Sequence, residues 1–203
     1  MILSRLAVGA ALFLAASAVS AENAPVAVVR ATVESIAHDD ATLKVKTRGG
    51  EEATVRLDAK TRFVLVVPST LAAMKPGAFI GVAAVPGDGE TLKALEVHVF
   101  PESMRGTGEG FRPFDLAPQS TMTNGAVAAR VDGVQGQTLT VSYKGGQQTI
   151  VVPPGTPIVG FDPGGRGDLK PGAAIIVRGH KAEDGALDAA YVLIGKDGLV
   201  PPM

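Results

Sequence analysis

Cysteine and tryptophan are both absent from this chain of 203 residues. Without cysteine there is no disulfide, no thiolate metal ligand, no catalytic thiol and no lipid-modified cysteine. Aromatic residues make up only 4% of the chain. The core therefore has to be built from Val, Ile, Leu and Ala, a composition that favours β-structure.

A charge excess of either sign is also missing, with 19 Lys and Arg against 20 Asp and Glu. Loss of Arg5 with an N-terminal leader would leave 18 basic residues against 20 acidic ones, a net charge of −2. A nearly neutral chain lacks the basic face that displaces counterions from phosphates. We therefore predict no nucleic-acid partner.

The longest apolar run is confined to the N-terminus. Arg5 precedes residues 6–19, and the run ends in the small residues of AVSAENAP. This run is shorter than the roughly 20 apolar residues of a transmembrane helix. The pattern predicts a cleaved signal peptide over residues 1–21. With an Ala-rich, cysteine-free chain, it indicates export to the bacterial periplasm without a transmembrane anchor.

What the chain does contain is an internal repeat. Residues 41–57, ATLKVKTRGGEEATVRL, align with residues 137–153, QTLTVSYKGGQQTIVVP, at an offset of 96. MKPGAFIGVAA at residues 74–84 aligns with LKPGAAIIVRG at residues 169–179 at an offset of 95. So small a slippage over about 70 positions indicates the tandem duplication of a small domain.

Each copy is predicted to form five strands. TLKVKT and TLTVSY alternate apolar and polar residues, as a half-buried strand does, and the Gly-Gly that follows predicts a hairpin. A less regular strand precedes each of them. Two further runs flank PGDGE in the first copy and KAEDG in the second, which predicts a second hairpin of strands four and five.

Lys75-Pro76-Gly77 and Lys170-Pro171-Gly172 predict the turn that enters strand four, since Pro sets φ at the second position and Gly accepts a positive φ at the third. Before it, PSTLAAMKPG predicts about two turns of helix in the first copy only. We predict an all-β chain with two tandem five-stranded OB-like barrels, and SH3-like barrels are the alternative.

The predicted organisation follows from the repeat. Between the copies lies a Gly- and Pro-rich linker, in which Phe111 and Phe114 either pack against a barrel or form an exposed apolar partner site. The predicted segments are the signal peptide 1–21, the first barrel 22–100, the linker 101–124, the second barrel 125–197 and an irregular tail 198–203.

The exported leader, the repeated TLxV…GG…V hairpin, the LKPG turn and the Asp-Gly hairpin resemble the bacterial domain of unknown function 5666, an exported OB-like β-domain often found in tandem. The resemblance covers both copies. These motifs are turn and core positions, so the resemblance implies a fold and carries over no catalytic, cofactor or ligand residue. The second copy departs from the pattern because it lacks the connector helix.

Metal ligation is one candidate chemistry. His38 lies in the AHDDA turn, His98 in strand five of the first copy, and His180 after strand four of the second. With carboxylates they could bind a hard cation, and with Met104 and Met122 a softer one. No two of the histidines stand at ligand spacing within one element.

Alternation along a strand refines the prediction for His98. It shares a face with Glu96, opposite Val97 and Val99, and is therefore predicted to be exposed. Met74 precedes the Lys-Pro-Gly turn, a position where a thioether usually fills a gap in the core.

Catalytic motifs are missing. No serine lies on a strand-to-helix elbow, and PGGRGDLK lacks the Gly-Lys-Ser/Thr ending of a phosphate loop. We predict that the chain is not an enzyme and uses no cofactor. It is instead a binding or interaction module for an unidentified protein or envelope component. The alternative is a periplasmic metal-binding protein. The sequence leaves the oligomeric state open.

Overall fold

The structure of the chain is a computed structural model that describes residues 26–39, 41–133 and 136–203. The predicted signal peptide at residues 1–21 lies outside the described residues. Within these ranges the regular structure is strands and short 3-10 turns, which confirms the all-β prediction. No helix in the described ranges is both long and apolar enough to cross a membrane.

Twelve strands form one continuous sheet in the described part of the chain. In chain order they are β1 (Val26–Ile36), β2 (Thr42–Thr47), β3 (Glu52–Pro68), β4 (Phe79–Pro86), β5 (Leu92–Val99), β6 (Gly110–Pro113), β7 (Thr121–Gly133), β8 (Gly136–Tyr143), β9 (Gly146–Val152), β10 (Ile158–Pro163), β11 (Ala174–Lys181) and β12 (Leu187–Gly195). The 3-10 turns are Leu71–Ala73, Glu102–Met104, Arg166–Asp168 and Lys196–Gly198.

Barrel 1 is a closed ring of β1, β2, β3, β12 and β11. β12 runs parallel to β3, and the other neighbours in the ring are antiparallel. This is the strand order of an OB-type barrel, in which the last strand of the unit lies beside the third. The buried residues of its core are Ala31, Val33, Leu43, Val45, Val55, Leu57, Leu169, Ile175, Val177, Leu187, Ala189, Val192 and Ile194.

Barrel 2 is a second ring with the same order, formed by β7, β8, β9, β5 and β4. Here β5 runs parallel to β9, at Leu92 and Lys93. Met74 is fully buried in this core, as the sequence predicted. The predicted closed five-stranded OB-like architecture is therefore confirmed.

The two rings do not follow the two sequence copies. Barrel 1 takes β1 to β3 from the first copy and the hairpin β11–β12 from the second, and barrel 2 takes the complementary set. Barrel 2 is thus continuous over residues 79–152 and is inserted between β3 and β11. The chain therefore does not form the two contiguous barrels predicted over residues 22–100 and 125–197. Each barrel is closed by the hairpin of the other copy.

The exchange has a physical basis in β3, which is 17 residues long. Its last residues, from Val64 to Pro68, pair with β10 at the junction of the barrels, and the Ser69 amide donates to the carbonyl of Ile158. The chain therefore enters β4 beside β7. Because both copies share one strand and turn pattern, the local pattern does not specify which three-stranded unit each hairpin closes.

The repeated turn marks the exchange directly. The amide of Gly77 donates to the carbonyl of Val127, and the amide of Gly172 donates to the carbonyl of Val33, both at 2.8 Å. Both glycines have a positive φ, 86° and 87°, as the turn prediction required. Each Lys-Pro-Gly turn therefore contacts the first strand of the other copy.

The predicted connector helix is wrong. Only the 3-10 turn Leu71–Ala73 forms, and Thr70 makes no side-chain cap. Pro76 disfavours the α-conformation at Lys75. The few residues left before it are too few to nucleate a stable helix.

The junction between the barrels is a third apolar core. β10 crosses it, antiparallel to β3 and parallel to β5. The ring of Phe161 lies 5.2 Å from that of Phe100, centroid to centroid. Residues 101–120, the strap, also bridge the barrels. Within the strap β6 pairs with β7, and Asp115 forms a salt bridge with Arg30 of barrel 1.

Candidate functional site

A cleft opens on barrel 1 where β3 and β12 separate. Their pairing includes Leu57 opposite Ala189 and resumes with Arg62 opposite Tyr191. Residues 58–61 of β3 therefore bulge outward, against Ala190 alone on β12. Bulges re-aim side chains and are common beside functional sites.

Asp58 and Thr61 give this bulge its shape. The Oδ1 atom of Asp58 accepts hydrogen bonds from the amides of Lys60 and Thr61, at 2.8 and 2.7 Å. The buried Thr61 hydroxyl lies 2.8 Å from the carbonyl of Ala189 and 3.0 Å from Asp58 Oδ1. Hydrogen bonds from the Thr61 side chain and the Lys60 amide hold the pKa of Asp58 below its ordinary value. Residues of the bulge thus supply the hydrogen-bond donors to the Asp58 carboxylate.

The cleft has a volume of about 830 Å³, within the range of small-molecule sites. Its lining residues are Arg56, Leu57, Asp58, Lys60, Arg62, His180, Asp188, Ala189, Ala190 and Tyr191. Arg56 forms salt bridges with Asp184 and, at 3.6 Å, with Asp188. This pairing neutralises one end of the cleft.

At the other end of the cleft Arg62 and Tyr191 belong to the lining, and Arg178, which does not line the cleft, stands beside Tyr191 on the neighbouring strand. Arg178 of β11 and Arg62 of β3 each stand opposite Tyr191 in the sheet register, and we call these three residues the arginine–tyrosine row. Among the described residues neither arginine forms a salt bridge. Burial raises the pKa of the half-buried Tyr191 hydroxyl, and the two guanidinium groups oppose that shift.

The strap brings further charge toward Arg178. Burial, and then the positive charge of Arg178, lowers the pKa of Arg112, whose guanidinium donates to the carbonyl of Gly108 at 2.7 Å. Asp115 accepts hydrogen bonds of 3.0 and 2.9 Å from Arg30. These bonds are the main cause of its lowered pKa, to which Arg178 also contributes. Asp115 therefore interacts with Arg30 and Arg178, and Arg112 adds a third guanidinium group close to Arg178.

The histidines predicted as metal ligands lie in different places. His38 is exposed in the turn after β1, His180 lines the cleft of barrel 1, and His98 belongs to β5 of barrel 2. In the ranges that the structure describes, no group of three His, Asp or Glu side chains is arranged to hold a metal ion. Met122 shares the outer face of barrel 2 with His98, and Met104 packs against the junction core.

The predicted exposure of His98 is wrong, because only 3% of its surface is exposed. Alternation correctly placed it on the face of Glu96. That face, however, is covered at the junction, where the ring of Phe161 lies 5.7 Å from the imidazole. The Nε2 atom of His98 lies 2.9 Å from Glu96 Oε1.

Two buried oxygen atoms near this pair have no hydrogen-bond partner among the described residues, Glu96 Oε2 and Asn124 Oδ1. Gly81 stands between His98 and Asn124 in the register of β5, β4 and β7. A Cβ atom on Gly81 would lie 2.7 Å from Asn124 Oδ1. The glycine therefore makes room for the amide group beside the Glu96–His98 pair.

The two linker phenylalanines do not behave alike. Phe111 is 44% exposed on β6, whereas Phe114 is half-buried and its amide donates to the carbonyl of Ser120. The structure thus has one exposed aromatic ring here, next in the chain to Arg112.

The arginine–tyrosine row was missed at the sequence level. Arg62 belongs to the first copy and Arg178 to the second, 116 positions later, so no spacing motif connects them. The hairpin exchange alone makes them neighbours.

Comparison with known proteins gives one family. The family model described as "Domain of unknown function (DUF5666)" matches residues 124–192. No curated protein and no solved structure gives a significant match to the chain. The matched segment runs from β7 into β12, so it combines three strands of barrel 2 with the hairpin that closes barrel 1.

Proposed function

Since the chain carries a DUF5666 domain over residues 124–192, a family whose description gives no function, we propose from its physical chemistry that it is a non-catalytic periplasmic binding module. Its ligand is an anionic group of an envelope component, bound at the Tyr191 end of the cleft between β3 and β12, where Arg62 lines the cleft and Arg178 lies next to it on β11. The observation that carries this proposal is the arginine–tyrosine row, in which Arg62 and Arg178 flank Tyr191 without a salt bridge to a described residue.

Guanidinium chemistry selects the class of ligand. The planar donors of arginine match the two oxygen atoms of a carboxylate or phosphate. A half-buried tyrosine offers both a ring face and a hydroxyl to the same ligand. An anion bound here would also relieve the repulsion between Arg178 and Arg112, which contributes to the lowered pKa of Arg112.

The test is a titration of the ¹⁵N-labelled chain, purified from a periplasmic extract, with inorganic phosphate and with acetate at constant ionic strength. We expect saturable shifts of the backbone amide signals at Arg62, Arg178 and Tyr191. The double variant Arg62→Gln/Arg178→Gln should lose them. The matched control, Lys44→Gln/Lys46→Gln, removes two exposed charges from β2 of the same barrel and should keep them.

Equal weakening of binding in both double variants would mean a general charge effect and would reject the cleft as the site. Shifts spread over both barrels would reject it as well.

A second candidate function, periplasmic metal binding, is favoured by one observation. Glu96 Oε2 is buried without a partner among the described residues, beside His98 and on the same face as Met122. Native mass spectrometry of the chain, isolated without chelators and compared before and after EDTA, tests it. A stoichiometric adduct that EDTA removes, and that Glu96→Gln abolishes but His38→Ala keeps, would support this function. A bare chain mass would reject it.

A further inference from the structure

The hairpin β11–β12 is an indispensable part of barrel 1, although it comes from the far end of the chain. Of the thirteen buried residues that the structure describes in this core, six belong to the hairpin: Ile175, Val177, Leu187, Ala189, Val192 and Ile194. Without them β1 over residues 26–32 and β3 over residues 55–66 become open sheet edges. Open edges of this length are templates for pairing with any strand that fits.

This hairpin also reaches its site late. β3 ends at Pro68 and β11 begins at Ala174, and the whole of barrel 2 lies between them as the continuous segment 79–152. Barrel 2 can therefore close while barrel 1 is still open. Contacts across so long a separation form slowly, because the entropy cost of loop closure comes first. The acceptor edges of barrel 1 stay available during that interval.

A glycine-rich hinge connects the hairpin to the rest of the molecule. Residues 164–168, GGRGD, follow β10, which is held by β3 on one side and by β5 on the other. Five extended residues can span about 17 Å. The hinge can therefore direct the hairpin to its own barrel or to one on a neighbouring molecule.

The two closing hairpins enter their barrels through equivalent contacts. Gly77 of the first copy contacts Val127 of the second, and Gly172 of the second contacts Val33 of the first, through equivalent hydrogen bonds of 2.8 Å. An exchange between two chains would repeat every contact of the hairpin with β1 and β3. Only the hinge conformation and the association entropy would differ.

We propose that the partner for the open form of barrel 1 is a second copy of this chain. The β11–β12 hairpin of each molecule closes barrel 1 of the other, which produces a hairpin-exchanged dimer. The partner is a second copy because the register from Val26 opposite His180 to Thr32 opposite Ala174 belongs to these two strands.

Because the chain has no cysteine, single cysteines can report this pairing. A Thr32→Cys chain and an Ala174→Cys chain are mixed, unfolded in urea, refolded together at high concentration and oxidised. Thr32 faces Ala174 on β11 and Lys46 on β2. The exchange should yield a disulfide-linked dimer from this mixture. The matched mixture of Thr32→Cys with Lys46→Cys should remain unlinked, since β1 and β2 stay in one chain.

The doubly substituted chain, Thr32→Cys/Ala174→Cys, is refolded at low concentration as a second control and should form an internal disulfide. Deleting Gly164 and Gly165 should raise the dimer fraction several-fold in light-scattering chromatography, because a shorter hinge hinders return to the same barrel. Inserting four Gly or Ser residues after Gly165 should lower that fraction.

Three outcomes would overturn the proposal. The first is a monomer at every refolding concentration. The second is a disulfide yield as high in the Thr32→Cys and Lys46→Cys mixture as in the Thr32→Cys and Ala174→Cys mixture. The third is a dimer fraction that does not change with hinge length. None of them bears on the anion titration, which is carried out on the monomeric fraction.

Discussion

At the residue scale, the least expected group is the Glu96–His98 pair. Its two side chains are buried together, 2.9 Å apart, on the outer surface of barrel 2. Each satisfies a hydrogen bond of the other in surroundings that otherwise include the ring of Phe161. A buried pair of this kind contributes little net stability, yet either partner is costly to leave alone.

We therefore expect Glu96→Leu and His98→Leu each to lower the free energy of unfolding by about 3 to 5 kcal/mol, because a buried polar partner is stranded. The double variant should lose much less than the sum of the two. Urea denaturation of all three variants measures this, with Glu34→Leu on an exposed site as the control. Additive losses would show that the two side chains are not coupled.

At the element scale, the Lys-Pro-Gly turns determine where each closing hairpin enters its barrel. In both turns the amide of the residue after glycine donates back to the lysine carbonyl, at 2.9 and 3.0 Å. Both glycines have a positive φ and open space where a Cβ would lie. Their role is therefore one of backbone conformation, and the space around them would admit a larger residue.

Gly77→Ala and Gly172→Ala are accordingly expected to cost about 1 to 2 kcal/mol each, the strain of a left-handed L-residue. The control is Gly167→Ala, where a Cβ also meets nothing but φ is not positive. That variant should be neutral or slightly stabilising. Amide hydrogen exchange should show faster opening of barrel 2 for the first variant and of barrel 1 for the second. A loss of similar size at Gly167 would argue against the turn explanation.

At the scale of the whole molecule, one barrel is inserted into the other. The core of barrel 2 is drawn entirely from residues 74–158, whereas the core of barrel 1 combines residues from both ends of the described chain. The matched family segment, 124–192, crosses between the two barrels. The segment that matches the family model therefore does not coincide with either barrel.

A fragment of residues 74–158 should consequently unfold cooperatively in urea and give dispersed amide signals. The fragment 26–100, which is the first sequence copy, should lack both properties because its closing hairpin is missing. If 26–100 folds cooperatively and 74–158 does not, each copy closes its own barrel and the exchange is excluded.

Local features were predictable wherever the cause is local. Alternation in TLKVKT and TLTVSY, glycine in the turns and proline in the Lys-Pro-Gly motif led to the strands, the hairpins and the OB-like order. Alternation also put Glu96 and His98 on one face. It could not show that β10 covers this face, because burial depends on what packs there and not on the period of the strand.

The sequence by itself determined the β-architecture, since strand period, turn geometry and the apolar positions of each copy act over a few residues. Only the tertiary structure decided which hairpin closes which barrel, and with that the meeting of Arg62, Tyr191 and Arg178. The physical reason is that both hairpins carry the same local pattern, which does not specify the ring that each one closes. The choice then depends on the length of β3, the course of β10 and the packing at the junction, which no local pattern encodes.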